Sequence, residues 1–414
     1  MSGFDFSSVL CAGDVVAWPQ GPGEPTGLSG ALIAQRHDLP PFSLLLGLGA
    51  SRTVRREHAD RITLRALNGA GSNRGWTDLA EIVPVPISQT PSRIRSGALR
   101  VDVVLLRVRP AGTTGYFTTG VISDFTQALA EAARVVIAEL DERLPLTGDD
   151  ALLPAEAIDH LVPAFGDDIL MPDPTLSAVD RAIAENVAAI IPDGATIQLG
   201  VGTLPAGVAA ALRNHRDLGV HSGVVSDVLV DLIEAGVVTN ARKGIDTGIT
   251  VTGGLFGTER LRAYADGNPA IAMRASSYTH SPEVLGRLHM MHAINSAIEI
   301  DLTGQANSEI AAGRYLGAVG GQLDFVRGAQ VSLDGRSIMA LPSTTADGKY
   351  SRIVASLDGR PVTTPRSEAD MVITEYGVAH LRGCGFHERA RRLHAIAHPN
   401  FRDSLLSTVK QAAE

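Results

Sequence analysis

The residues best placed by type and spacing to do chemistry lie in a glycine-bearing bend, Gly200-Val201-Gly202, followed by Thr203-Leu204-Pro205. An apolar run, Thr196 to Leu199, precedes the bend and an Ala-rich helical pattern follows it, so it joins a buried strand to a helix. Glycine removes side-chain bulk there and lets a ligand approach backbone N–H groups at the positive end of the helix. Such a place suits an anion, or a carbonyl oxygen that gathers charge during reaction. A tight strand-to-helix turn explains the same pattern. The bend also lacks the third glycine of a dinucleotide fingerprint and the lysine of a P-loop.

Two further glycine-rich stretches, Val251 to Gly257 and Gly317 to Gln322, lie at or near the ends of apolar runs, where α/β folds place ligand loops. Three carboxylates stand beside such features: Glu24 in the bend Gly21-Pro22-Gly23-Glu24-Pro25, Glu299 after Asn295-Ser296, and Glu375 after Met371 to Thr374. Each could serve as a base or a nucleophile. Each could equally hold a loop or complement a helix dipole. The histidines carry no metal signature. His387-Glu388 begins like a zinc-protease motif, but Arg391 stands where the second histidine belongs, and His394 and His398 have no third ligand at suitable spacing. No Gly-x-Ser-x-Gly elbow is present.

The elements that must position these groups alternate along the chain. The runs Val101–Val108, Val135–Leu140, Thr196–Leu199, Ile249–Thr252 and Val372–Thr374 read as buried strands. Thr126–Ala133, Leu176–Ile191 and Val208–Arg213 read as helices. The expected class is α/β, with two similar domains in tandem and a site between them. Leu144 to Thr175, with five prolines and weak periodicity, reads as a linker and places the boundary at residue 173, giving domains 1–173 and 174–414. Gly13 to Pro25 and Gly194 to Pro205 share one plan of turn, short strand, glycine bend and helix, about 180 residues apart, one domain length. Internal duplication explains this, as does the general habit of βα units.

Composition narrows the function. With 44% hydrophobic and 20% charged residues the chain can bury a sizeable core. A net charge of −9 argues against a nucleic-acid surface while leaving room for a local anion site. Two isolated cysteines, Cys11 and Cys384, fit a reducing compartment. The N-terminus lacks a signal-peptide pattern, and no apolar run is long enough to span a membrane. A cytoplasmic protein is expected.

Together these stretches resemble the acetyl-CoA hydrolase/4-hydroxybutyrate CoA-transferase family of class I CoA-transferases. The likeness runs through Ile191–Gly202, Asp227–Val238, Ile294–Ser296, Asp301–Gln305, Val319–Gly328, Leu341–Ser343, Val362–Thr364, Thr374–Val378 and Ile396–Pro399. It continues more loosely through Glu24-Pro25, Gly115-Tyr116, Ser123-Asp124 and Val136–Glu139. The resemblance implies an enzyme that moves CoA between carboxylic acids or hydrolyses acyl-CoA. Its partners would be acyl-CoA and a small carboxylate, with no metal or other cofactor. It also implies that Gly200, Val201, Gly202, Thr203, Leu204, Ile298, Gly321 and Lys349 contact CoA.

One departure is large. The family's nucleophilic glutamate closes a His-Ser-Glu triplet, and here the triplet is His221-Ser222-Gly223. Glycine cannot form a glutamyl thioester. Its small size would leave space for a water, with Glu24, Glu299 or Glu375 as the base. Hydrolytic C–C cleavage or ring opening of an acyl-CoA, and CoA binding without catalysis, are the alternative readings. Assembly into a homo-oligomer is left open.

Overall fold

Along Val103–Pro110 alternate side chains enter two different cores. Val103 and Leu105 join Val16, Leu44 and Leu64 on one face, while Val104, Leu106 and Val108 join Val15, Leu45 and Ala138 on the other. A strand apolar on both faces belongs in a parallel sheet with cover on each side. The computed structural model, which describes residues 3–112, 115–172 and 174–411, contains two such sheets.

The parallel strands of the first sheet are β1 (Val15–Ala17), β2 (Phe42–Leu46), β3 (Ile62–Ala66), β4 (Glu81–Ile82), β5 (Val103–Pro110), β6 (Val135–Leu140) and β7 (His160–Pro163). They lie in the order β4-β3-β2-β1-β5-β6-β7. The second sheet comprises β8 (Thr196–Leu199), β9 (Gly219–Ser222), β10 (Thr250–Thr252), β11 (Ile271–Met273), β12 (Met291–Asn295), β13 (Arg336–Ala340), β14 (Met371–Thr374) and β15 (Gly377–His380). Its order is β11-β10-β9-β8-β12-β13-β14-β15, with only β15 antiparallel. In each sheet the first strand of the half is central, the next three run outward on one side, and later strands build the other. The two halves therefore share one topology.

The linker reading needs correction. His160–Pro163 lies within the proline-rich segment, yet it forms the edge strand of the first sheet against β6. Its side chains alternate between half-buried and exposed, so no apolar period marks it. The boundary expected at residue 173 lies outside the described residues.

The halves meet through apolar and ionic contacts. Val121, Leu144 and Ala151 of the first half share a core with Ile197, Val225 and Leu255 of the second. Beside it, Arg107 on β5 pairs with Asp141 at 2.5 Å and Asp168 at 2.9 Å, and Arg262 also pairs with Asp168. Both arginine side chains are under 5% exposed. Buried charges persist only where partners are this close. No helix among the described residues is long and apolar enough to cross a membrane.

Candidate active site

Where β8 ends, the chain bends through Gly200 to Gly202 into α1 (Thr203–Ala211). Gly202 has φ 115°, a conformation that needs glycine. Next to it in the sheet, β9 ends at Ser222, whose Oγ donates to the Leu199 carbonyl at 2.7 Å, and Gly223 follows. The bend after β10 adds Gly253, and Gly321 precedes the helix α2 (Gln322–Val331). From the first half, Gln20 arrives after β1 and Asp124 after Ile122-Ser123.

These backbones enclose a cavity of about 240 Å³ lined by residues of both halves. Gly200, Val201, Gly223 and Gly321 line it, as do Gln20, Asp124 and His280. One residue ties its walls together. The Gly253 N–H donates to the Gly223 carbonyl at 3.0 Å, and the Gly253 carbonyl accepts from Ser123 N–H at 2.8 Å and Asp124 N–H at 3.2 Å. The Asp124 carbonyl accepts from Ser276 N–H at 2.7 Å, which fixes the short helical turn Ser276–Thr279 that ends at His280.

His280 fills the space expected for water. A Cβ at position 223 would stand 2.7 Å from its Cε1 and 2.9 Å from its Nε2. The ring blocks position 321 as well, where a Cβ would stand 2.3 Å from its Cδ2 and Nε2. The ring packs on Phe325 with centroids 4.6 Å apart, and Nδ1 shares a 2.8 Å hydrogen bond with Thr279 Oγ1. Burial pushes its pKa down to about 3, so the imidazole is neutral at physiological pH.

Asp124 is 5% exposed and has φ 37°, tolerated by Asp more readily than by most residues. Gln20 Nε2 donates to Oδ2, and Oδ1 has no hydrogen-bond partner. Burial dominates and pushes the carboxyl up to about 7, against the opposing pull of the Gln20 amide and the nearby Ser276 side chain. Among the described residues lining the cavity it is the one carboxylate. Side-chain amides supply the other polar groups, including Gln198 and Asn295, whose Nδ2 donates to Gln198 Oε1 at 3.3 Å.

The three glutamates read as candidate bases do not line this cavity. Glu24 is buried beside it and accepts from Ser29 Oγ at 2.8 Å. Glu299 accepts from Asn307 Nδ2 at 2.7 Å and pairs with Arg360 at 2.6 Å. Glu375 takes both the N–H and the hydroxyl of Ser343, at 2.9 and 2.5 Å. All three have structural partners. Of the CoA-contact candidates, Thr203 starts α1, Leu204 enters the core shared by the two halves, and Ile298 is half-buried, its N–H donating to the Asn307 carbonyl. Lys349 is exposed, 3.4 Å from Asp347. Sequence reasoning missed Gln20 and His280 as site residues. Asp124 entered only as half of a matched dipeptide.

Comparison with known proteins agrees with this fold. Residues 257–409 match the family model of the acetyl-CoA hydrolase/transferase C-terminal domain. The 4-hydroxybutyrate coenzyme A transferase of Clostridium kluyveri is 37% identical over 394 residues, 94% of this chain and 92% of the relative. The crystal structure of RipA from Yersinia pestis superposes with a TM-score of 0.91 at 34% identity, covering 98% of this chain and 96% of that one. A 4-hydroxybutyrate CoA-transferase from Porphyromonas gingivalis gives 0.83 at 32%, with 98% and 95% covered.

Proposed function

The chain belongs to the acetyl-CoA hydrolase/transferase family, and on that premise we propose that it cleaves acyl-CoA thioesters with water in the cavity between its sheets. It is an enzyme of acyl-CoA processing, by CoA transfer or hydrolysis. One observation favours hydrolysis: Gly223 offers no side chain, and the His280 ring occupies the space such a side chain would enter. A covalent CoA ester cannot form at that position, and transfer by the ping-pong route needs one. The glycine bend at Gly200-Val201 and the amides of Gln198 and Asn295 provide donors for a thioester oxygen. Nothing beyond acyl-CoA and water is required.

The experiment is product analysis over a panel of acyl-CoAs, with and without acetate. Free CoA released at the same rate in both, with no acetyl-CoA formed, is the expected result. Acetate-dependent acyl exchange with an enzyme-bound CoA ester, trapped by hydroxylamine, would refute it.

A further inference from the structure

In the active site of this family member the position that should carry the reacting carboxylate is empty, yet the cavity still holds a carboxylate from the opposite wall. We propose that Asp124 is the base that activates the attacking water, a catalytic role that rests on the hydrolytic reading above. Three observations carry it. Asp124 is the one carboxylate among the described residues lining the cavity, whereas Glu24, Glu299 and Glu375 lie outside it with partners of their own. Its Oδ2 is held by Gln20, while Oδ1 is buried and takes no hydrogen bond even with the Ser276 side chain close by. A single residue, Gly253, bonds both to Asp124 N–H and to the Gly223 carbonyl, so Asp124 stands one hydrogen-bonded residue from the vacated position.

The step balances without any further reagent. Water gives a proton to Oδ1 as its oxygen bonds to the thioester carbon, and the carbonyl electrons move onto the carbonyl oxygen. That oxyanion collapses, the C–S bond breaks, and the sulfur leaves with the proton held by Asp124. The carboxylic acid then loses its own proton to solvent. A carboxyl that titrates near neutrality can take and return a proton in this way. The groups around it do not compete. His280 is neutral, Arg274 is paired with Asp149 at 3.2 Å, and Asp150 accepts from Ala275 N–H at 2.8 Å.

The test measures hydrolysis and CoA affinity together. Asp124→Asn keeps the shape and tolerates the backbone, and it should lower kcat by about 10²–10⁴-fold. Its calorimetric Kd for CoA should stay within about threefold, since a base contributes to reaction more than to binding. Gln20→Met keeps the carboxyl and removes its donor. The acid limb of its kcat/KM profile should therefore move to higher pH, because that donor favours the charged form. An Asp124→Asn enzyme with more than a third of normal activity, an unmoved limb in Gln20→Met, or a CoA ester found on Asp124 would each overturn the assignment. A wild-type enzyme that releases no CoA without an acceptor refutes the hydrolytic reading itself, and the base with it, before any variant is made.

Discussion

Gly223→Ala asks whether the His280 ring holds the place of the absent side chain. The backbone at 223 lies outside the left-handed region, so alanine meets no conformational penalty of its own. Its methyl would lie 2.7 Å from Cε1 and 2.9 Å from Nε2, well inside the 3.5–4.0 Å at which carbon atoms attract. The ring has no easy retreat, with Gly321 against its Cδ2–Nε2 edge, Phe325 packed on it and Thr279 on Nδ1. Overpacking of this kind costs about 1–3 kcal/mol. In a His280→Ala background the obstacle is gone, and the same substitution should instead stabilise by about 0.4–1 kcal/mol through the unfolded state. Urea titrations of the four proteins in this double-mutant cycle give the result as a change of sign. Gly223→Ala with equal effect in both backgrounds would show that the ring does not occupy the site. The cycle also bears on restoring a transferase: Gly223→Glu alone should trap no CoA ester, while Gly223→Glu with His280→Ala has room for one.

Two further expectations follow from buried charge. Asp124 has a pKa of about 7 in the folded chain against 3.8 in the unfolded, so its proton contributes stability below pH ~4 that is lost as pH rises through about 7. The melting temperature of Asp124→Asn should therefore gain on wild type steadily over that window, and a constant difference would refute the shift. Asp168→Ala removes a carboxylate shared by Arg107 and Arg262 and should cost about 3–5 kcal/mol in chemical denaturation. A loss below 1 kcal/mol would mean that the cluster does not join the halves.

The sheets were legible because parallel strands covered on both faces must be apolar at nearly every position, and runs such as Val135–Leu140 and Thr196–Leu199 carry that mark. The bend at Gly202 was legible because its φ admits little else. The edge strand His160–Pro163 was read as linker because half-exposed positions carry no such pattern. The site residues were harder. Glu299 and Glu375 look free in sequence because their partners, Arg360 and Ser343, are 61 and 32 residues away. Asp124 gains its place only by pairing with Ala275, on the far half, and His280 only by packing between two glycines. Those relations exist in three dimensions and leave no local trace.

Although the two sheets repeat one strand order, Gln20 from the bend after β1 and Gly200-Val201 from the bend after β8 open onto the same cavity. A doubled architecture thus builds one shared cavity from both of its halves. Its two walls are chemically unlike: the first half brings the Asp124 carboxylate with the amides of Gln20 and Asn68, the second brings glycines, the His280 imidazole and the amides of Gln198 and Asn295. The approximate symmetry of the backbone therefore stops short of the side chains that line the cavity.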